Sequence, residues 1–212
     1  MKKNKKEFEQ RSYFFEVRTE KREDGIARLS GMPIVYSSPT DIGGMFREII
    51  EPGALDGANL KDVPLLVNHN DRMIPVARSR NNNGNSTMQL SPNALGLNFD
   101  ADIDIGRNMT AMELYSAVDR GDLNGMSFKF SISDEEWENL ETEYPTRHIK
   151  KIDVVSEISA VTWAAYPATQ IYARSKEALD NARSALEKAR EQSAKPLESG
   201  KLELLKAKIN LM

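Results

Sequence analysis

Three side chains in this chain have the types that together break an acyl bond: a serine hydroxyl, an imidazole and a carboxylate. The serine is Ser127, in Gly125-Met126-Ser127-Phe128-Lys129-Phe130-Ser131-Ile132. The segment alternates strictly, so Met126, Phe128, Phe130 and Ile132 share one strand face and Ser127, Lys129 and Ser131 share the other. The apolar face is expected in the core. Ser127 is then expected on the open side, rigidly held at the start of a strand. A plain surface serine satisfies the same pattern. A serine hydroxyl needs a base that titrates near neutrality, and histidine is the natural one. His69 follows an apolar run, Val63 to Val67, and precedes Asn70-Asp71, so it sits where a buried strand ends. A solvated turn histidine is the competing reading. The only other histidine is His148, beside basic neighbours in Pro145-Thr146-Arg147-His148-Ile149-Lys150. The carboxylate is Glu157, inside the apolar stretch from Asp153 to Trp163, where burial without a partner is costly. An imidazole N–H is one suitable partner and a salt bridge is another. Spacing does not choose between them.

The elements that position these residues read as short strands. Tyr13 to Val17, Ile26 to Tyr36, Phe46 to Ile50, Val63 to Val67, Leu95 to Ile105, Met126 to Ile132 and Ile149 to Trp163 have strand patterns. Gly31 and Pro33 predict a bulge or bend in the second run. Asn83-Gly84 suits a hairpin turn, and Ala54 to Leu60 suits a short helix. One longer helix is expected to start at a capping box, Thr110 with Glu113, to carry Met109, Met112, Tyr115 and Val118 on one side, widened by Ala111 and Leu114, and to end at Gly121. After Arg174, Leu179, Ala182, Leu186 and Ala189 form a helical stripe, and Leu202, Leu205, Ile209 and Met212 form another. Pro196 and Gly200 separate them. The expected organisation is a disordered N-terminus over 1–11, a catalytic domain over 12–174 and an amphipathic helical tail over 175–212.

Composition narrows the chemistry. There is no cysteine in 212 residues, which excludes disulfides, thiolate metal sites and a cysteine nucleophile. With two histidines and no HExxH spacing, neither a metal site nor a cofactor is expected. Asp100, Asp102 and Asp104 alternate on one strand and read as a solvated acidic face. The net charge of −3 disfavours a nucleic-acid partner. Residues 175–212 carry eight Lys/Arg and six Asp/Glu, net +2, against net −5 for the rest. No apolar run reaches the roughly 20 residues that span a bilayer, so no membrane role is expected.

Five short segments, in this order, resemble the tailed-phage prohead serine proteases, which are distantly similar in fold to the herpesvirus assemblins. They are Gly31-Met-Pro-Ile-Val-Tyr36, Phe46-Arg-Glu-Ile-Ile-Glu-Pro-Gly-Ala54, Val63-Pro-Leu-Leu-Val-Asn-His-Asn70, Gly121-Asp-Leu-Asn-Gly-Met-Ser-Phe-Lys-Phe130, and Glu157-Ile-Ser-Ala-Val161 ending in Pro167-Ala168. The resemblance implies a mostly β (α+β) fold, an assemblin-like β-barrel flanked by helices with a helical C-terminal tail. It implies a serine endopeptidase with Ser127 as nucleophile, His69 as base and Glu157 as third member. Assemblins use a second histidine in that last role, for which His148 is the alternative. Where relatives often carry Ile-Gly-Arg after the histidine strand, this chain has Pro75-Val76-Ala77-Arg78. The implied substrates are the major capsid protein and scaffold, cut inside the prohead in the host cytoplasm, and the chain itself; from composition alone, the helical tail fits a docking or packaging segment that such self-cleavage could remove. A homodimer is expected because assemblins act as dimers. The competing function is a non-enzymatic capsid scaffolding or assembly protein, in which the tail does the main work.

Overall fold

The computed structural model describes residues 7–14, 18–21, 23–162 and 179–194. Eleven strands and two helices make up these residues. In chain order they are β1 (Glu9–Phe14), β2 (Arg18–Lys21), β3 (Ile26–Val35), β4 (Thr40–Ile42), β5 (Phe46–Ile50), β6 (Pro64–Val67), β7 (Ala77–Arg78), β8 (Met88–Asn93), β9 (Gly96–Asp104), α1 (Met109–Asp119), β10 (Gly125–Glu138), β11 (Thr146–Val161) and α2 (179–194). One sheet has seven strands, in the order β1-β10-β11-β5-β4, with β6 also paired to β11 and β7 to β6. The other has four, in the order β2-β3-β9-β8. Their apolar faces enclose one core. Leu29, Leu90, Leu97, Phe99 and Ile103 come from the smaller sheet, and Phe128, Phe130, Ile149, Ile152 and Ile158 from the larger. Each such side chain, taken from water, contributes about 1.5–3 kcal/mol.

The protein is mostly β, as expected, but the expected barrel is not closed. Closure needs one ladder that returns to its first strand. Here the free edge of β11 is divided between two short parallel strands. β5 pairs along Thr146–Ile149 and β6 along Ile158–Ala160. The ladder then ends at β4 on one branch and β7 on the other, leaving two packed sheets with edges. Bulges between Lys129 and Phe130 and between Ser131 and Glu135 bend the long β10–β11 hairpin around the core. The Gly31–Pro33 stretch is the expected bulge, seen as a register shift between Gly31 and Ile34.

Other expectations change in detail. α1 is capped by Asn108, whose side chain accepts from the Ala111 amide at 3.3 Å, and not by a Thr110–Glu113 box. Its buried residues are Ala111, Leu114 and Val118, while Met109 and Met112 are exposed. A three-residue step drifts about 60° around a helix, so Met109 and Val118 lie on opposite sides. Gly121 closes the helix with φ +77°, donating its N–H to Val118. Residues 54–60 form turns and no helix. The β8–β9 hairpin turns at Ala94-Leu95, so Asn83-Gly84 is not its turn.

The N-terminal boundary also moves, because Glu9–Arg11 belong to β1 although residues 1–11 were expected to be disordered. In α2 the stripe is as expected: Ala182 and Leu186 are buried against Ile42 and Phe46, beside Met45, Trp137 and Leu140. The helix thus packs on its own domain. It also donates from Asn181 to the Phe8 carbonyl at 3.2 Å and pairs Lys188 with Glu7 at 2.6 Å, next to β1. The second stripe, Leu202 to Met212, and the Pro167-Ala168 pair lie outside the described residues.

Candidate active site

β10 and β11 run antiparallel with Ser127 directly opposite Ser159 and Lys129 opposite Glu157. Directly opposed residues project to the same face, so Ser127, Ser159 and Glu157 share one. β6 lies on the far side of β11, with Val67 beside Ala160. The chain then turns sharply. Asn68 and His69 both take left-handed backbone angles, φ +50° and +57°. For residues with a Cβ this costs roughly 1–2 kcal/mol each. Asn68 offsets part of it. Its amide donates to the Ala160 carbonyl at 2.9 Å, and its side chain accepts from the Thr162 amide at 3.0 Å and donates to the Thr162 hydroxyl at 3.1 Å. The turn brings the His69 ring to Glu157.

His69 Nδ1 is hydrogen-bonded to Glu157 Oε1. The carboxylate accepts, so Nδ1 carries a proton, and in the neutral imidazole Nε2 then presents its lone pair. Glu157 is only 7% exposed, and the imidazole is the partner its burial requires. Nε2 is buried and has no hydrogen-bond partner among the described residues. An unpartnered basic nitrogen in a preset tautomer can take a proton from an incoming hydroxyl.

Ser127 was expected on the open side, and it is instead fully buried. β1 pairs along β10 with Ser12 directly opposite Ser127, and Ser159 and Glu157 on the same face are buried as well, Ser159 fully. The Ser127 hydroxyl donates to the Arg11 carbonyl at 2.6 Å and accepts from the Ser12 hydroxyl at 2.8 Å. Among the described residues no hydrogen bond joins Ser127 to His69. The nucleophile candidate and the His69–Glu157 pair therefore share one region of the sheet, with the serine proton turned toward β1.

His148 lies elsewhere. It is nine residues before Glu157 on β11, about 30 Å along an extended strand. Its Nδ1 meets Glu51 at 2.6 Å and its Nε2 meets Glu138 at 3.4 Å. Arg78 sits opposite Pro64, at the other end of β6 from His69, paired with Asp62 at 2.7 Å. No group of three or more His, Asp or Glu among the described residues is arranged to hold a metal ion.

A model of the caudovirus prohead serine protease family matches residues 14–183. The chain belongs to this family. It is thus a member of a family of capsid-maturation peptidases working inside the prohead, with capsid proteins as substrates. No curated protein and no solved structure matches it. The matched span contains Ser127, His69 and Glu157 and begins at the last residue of β1. Arg11 and Ser12, the two residues that hold the Ser127 hydroxyl, fall before it. No helix among the described residues is long and apolar enough to cross a membrane.

Sequence reasoning missed the cluster that anchors β1. Arg11 grips Glu48 through two bonds of 2.6 Å and Glu9 through one of 2.6 Å. Arg147 meets Glu9 at 2.7 Å, Glu48 at 3.1 Å and also Glu135. Arg11, Glu48 and Arg147 are all buried. The guanidiniums of Arg11 and Arg147 also lie 5.6 Å from the ring centres of Phe130 and Trp137. Burial alone would push the Glu9 carboxyl up, but the Arg11 and Arg147 charges outweigh it and hold it down at about 2. Burial likewise disfavours the Arg147 charge, and Glu9, Glu48 and Glu135 reverse that and raise it. The signal was present in Phe46-Arg47-Glu48-Ile49-Ile50. Phe46, Glu48 and Ile50 share the buried face, and a carboxylate there demands a cation. This cluster fixes β1 against β5 and β11, and so sets Ser12 beside Ser127.

Proposed function

We propose that the chain is a serine endopeptidase that cleaves capsid and scaffold proteins during prohead maturation and also processes itself. Ser127 is the nucleophile, His69 the general base and Glu157 the residue that orients the ring. The observation that carries this reading is the buried His69–Glu157 contact. It leaves His69 Nε2 without a hydrogen-bond partner among the described residues, within the same sheet region as Ser127.

The reaction follows from the roles. The Ser127 hydroxyl turns from the Arg11 carbonyl toward His69, and Oγ attacks the carbonyl carbon of the scissile peptide as Nε2 takes its proton. The imidazolium that forms faces the Glu157 carboxylate. The tetrahedral intermediate collapses when Nε2 returns the proton to the leaving amine, and an acyl-enzyme remains. Water then attacks the ester, His69 takes the water's proton, and Ser127 leaves with that proton.

The test is mass spectrometry of capsid protein co-expressed with the wild-type or Ser127→Ala chain. Processed capsid protein is expected only with the wild type. Cleavage by Ser127→Ala at the wild-type rate would refute the assignment. The same spectra report self-processing as truncation of the wild-type chain and its absence in the variant.

A further inference from the structure

Ser12, Ser127 and Ser159 form a row across three adjacent strands, each opposite the next in register. The three hydroxyls are used unequally. Ser12 donates to Ser127, and Ser127 donates to the Arg11 carbonyl. Ser159 is fully buried and its hydroxyl has no hydrogen-bond partner among the described residues. Buried hydroxyls are nearly always paired, so an orphan beside a nucleophile calls for a reason. Of the described residues, only His69 and Ser131 share this condition with it. His69 and Ser159 flank Ser127's strand from the β11 side, while both present partners of Ser127 belong to β1. The row thus offers the Ser127 hydroxyl two settings. One is occupied, on β1. The other lies toward the two groups that have no partner among the described residues.

We propose that Ser159 is a positioning residue that holds Ser127 in its reactive rotamer. When the Ser127 proton leaves Arg11 and turns to His69 Nε2, the Ser159 hydroxyl replaces that of Ser12 as donor to Ser127 Oγ. Opposed side chains on antiparallel strands have Cβ atoms about 4.5–5.5 Å apart, within reach for two hydroxyls in suitable staggered rotamers. The exchange partners both orphaned groups, Ser159 gaining an acceptor and His69 a donor, while the Ser12 hydroxyl and the Arg11 carbonyl give up their bonds to Ser127. In deacylation the same O–H dipole meets Oγ as it leaves the acyl carbon and recovers negative charge, where a hydrogen bond is strongest. Ser12 acts oppositely, because its bond favours the resting rotamer. The proposal rests on the assignment of Ser127 and His69 above.

Two single variants of the full chain, Ser159→Ala and Ser12→Ala, test it against a fluorophosphonate probe and against capsid protein. Ser159→Ala is expected to lower the maximal inactivation rate and kcat by about 10- to 100-fold, the range for one lost hydrogen bond to a charged group. The probe's half-saturation concentration and KM stay unchanged. Its unfolding Tm is expected at or above the wild-type value, since the variant deletes a hydroxyl that has no partner in the resting fold. Ser12→Ala is expected to raise the inactivation rate. Wild-type rates in Ser159→Ala, or a rate loss accompanied by a lowered Tm, would overturn the proposal. Ser127→Ala, run alongside, separates the two claims. If it is inert while Ser159→Ala is unimpaired, only the role of Ser159 fails. If it reacts like the wild type, the assignment of the nucleophile fails.

Discussion

Replacing Glu157 by glutamine tests the working arrangement most directly. Glutamine keeps the size of the side chain and can still accept from His69 Nδ1. It removes only the charge. In the mechanism proposed above, proton transfer from Ser127 makes His69 cationic beside a carboxylate that is 7% exposed. With the charges about 4 Å apart and an effective dielectric of about 20, their attraction is about 4 kcal/mol. Losing it in the transition state slows the chemical step by roughly a thousandfold. The amide can also turn its NH2 toward the ring, which selects the wrong tautomer and adds to the loss. Substrate contacts are untouched, so kcat falls while KM holds. The assay is cleavage of capsid protein by purified chains, with the initial rate read from gels or mass spectra over a range of substrate concentrations. Thermal unfolding of each chain shows that the fold is retained. A folded Glu157→Gln chain with kcat within about threefold of the wild type would refute the reasoning, since the charge would then contribute less than about 1 kcal/mol.

Three further predictions concern the rest of the molecule. His148→Ala should cleave capsid protein at close to the wild-type rate, because His148 binds Glu51 and Glu138 far along β11 from Ser127; a large loss of kcat in a folded variant would return it to the site. Glu48→Ala leaves two buried guanidiniums without their shared carboxylate and should cost about 3–5 kcal/mol in urea unfolding; a loss below about 1 kcal/mol would show the cluster to be idle. Glu9 has a folded pKa depressed from 4.5 to about 2, so its contribution, roughly 3 kcal/mol, is present above about pH 4.5 and is lost as pH falls toward 2. Glu9→Gln should flatten the decline in urea stability over that interval, and an unchanged decline would count against the Arg11 and Arg147 contacts as its cause.

Where one residue's neighbours in sequence are also its neighbours in space, pattern reading located the elements well. The alternation of β9 set Leu97, Phe99, Ala101 and Ile103 inward and left Asp100 and Asp102 exposed. The stripe of α2 and the left-handed stop of α1 at Gly121 follow from periodicity and from a glycine's backbone freedom. The pattern failed where local signals competed. Asn108 and Thr110 can each cap a helix, and the carboxamide that reaches the third amide of the helix prevails. A barrel and a pair of packed sheets share the same strands. What separates them is how the edge of β11 is divided between β5 and β6, a contact between segments far apart in the chain. The muddled period around Glu157 has a physical origin too. Residues 157–161 are buried on both faces, so no alternation survives there.

The candidate site was legible in residue type but not in state. Serine, histidine and glutamate were picked out by what each can do, and the structure adds the His69–Glu157 bond and separates His148 from it. The state of Ser127 could not be read from its own strand, because the partners of its hydroxyl come from β1, more than a hundred residues earlier. Nor is β1 an apolar strand that advertises burial. Its side chain at Arg11 is charged, and it is held inward by the carboxylates of Glu48, on β5, and Glu9, which Arg147 on β11 also binds. Fully paired ionic groups specify one arrangement more strictly than apolar contacts, since a shifted register would leave charges buried alone. A register shift of one residue in β1 would also move Ser12 and the Arg11 carbonyl away from the Ser127 hydroxyl. The buried cluster and the buried Ser127 hydroxyl are therefore one structural problem. Weakening the Glu48 grip should loosen β1 and expose Ser127 together.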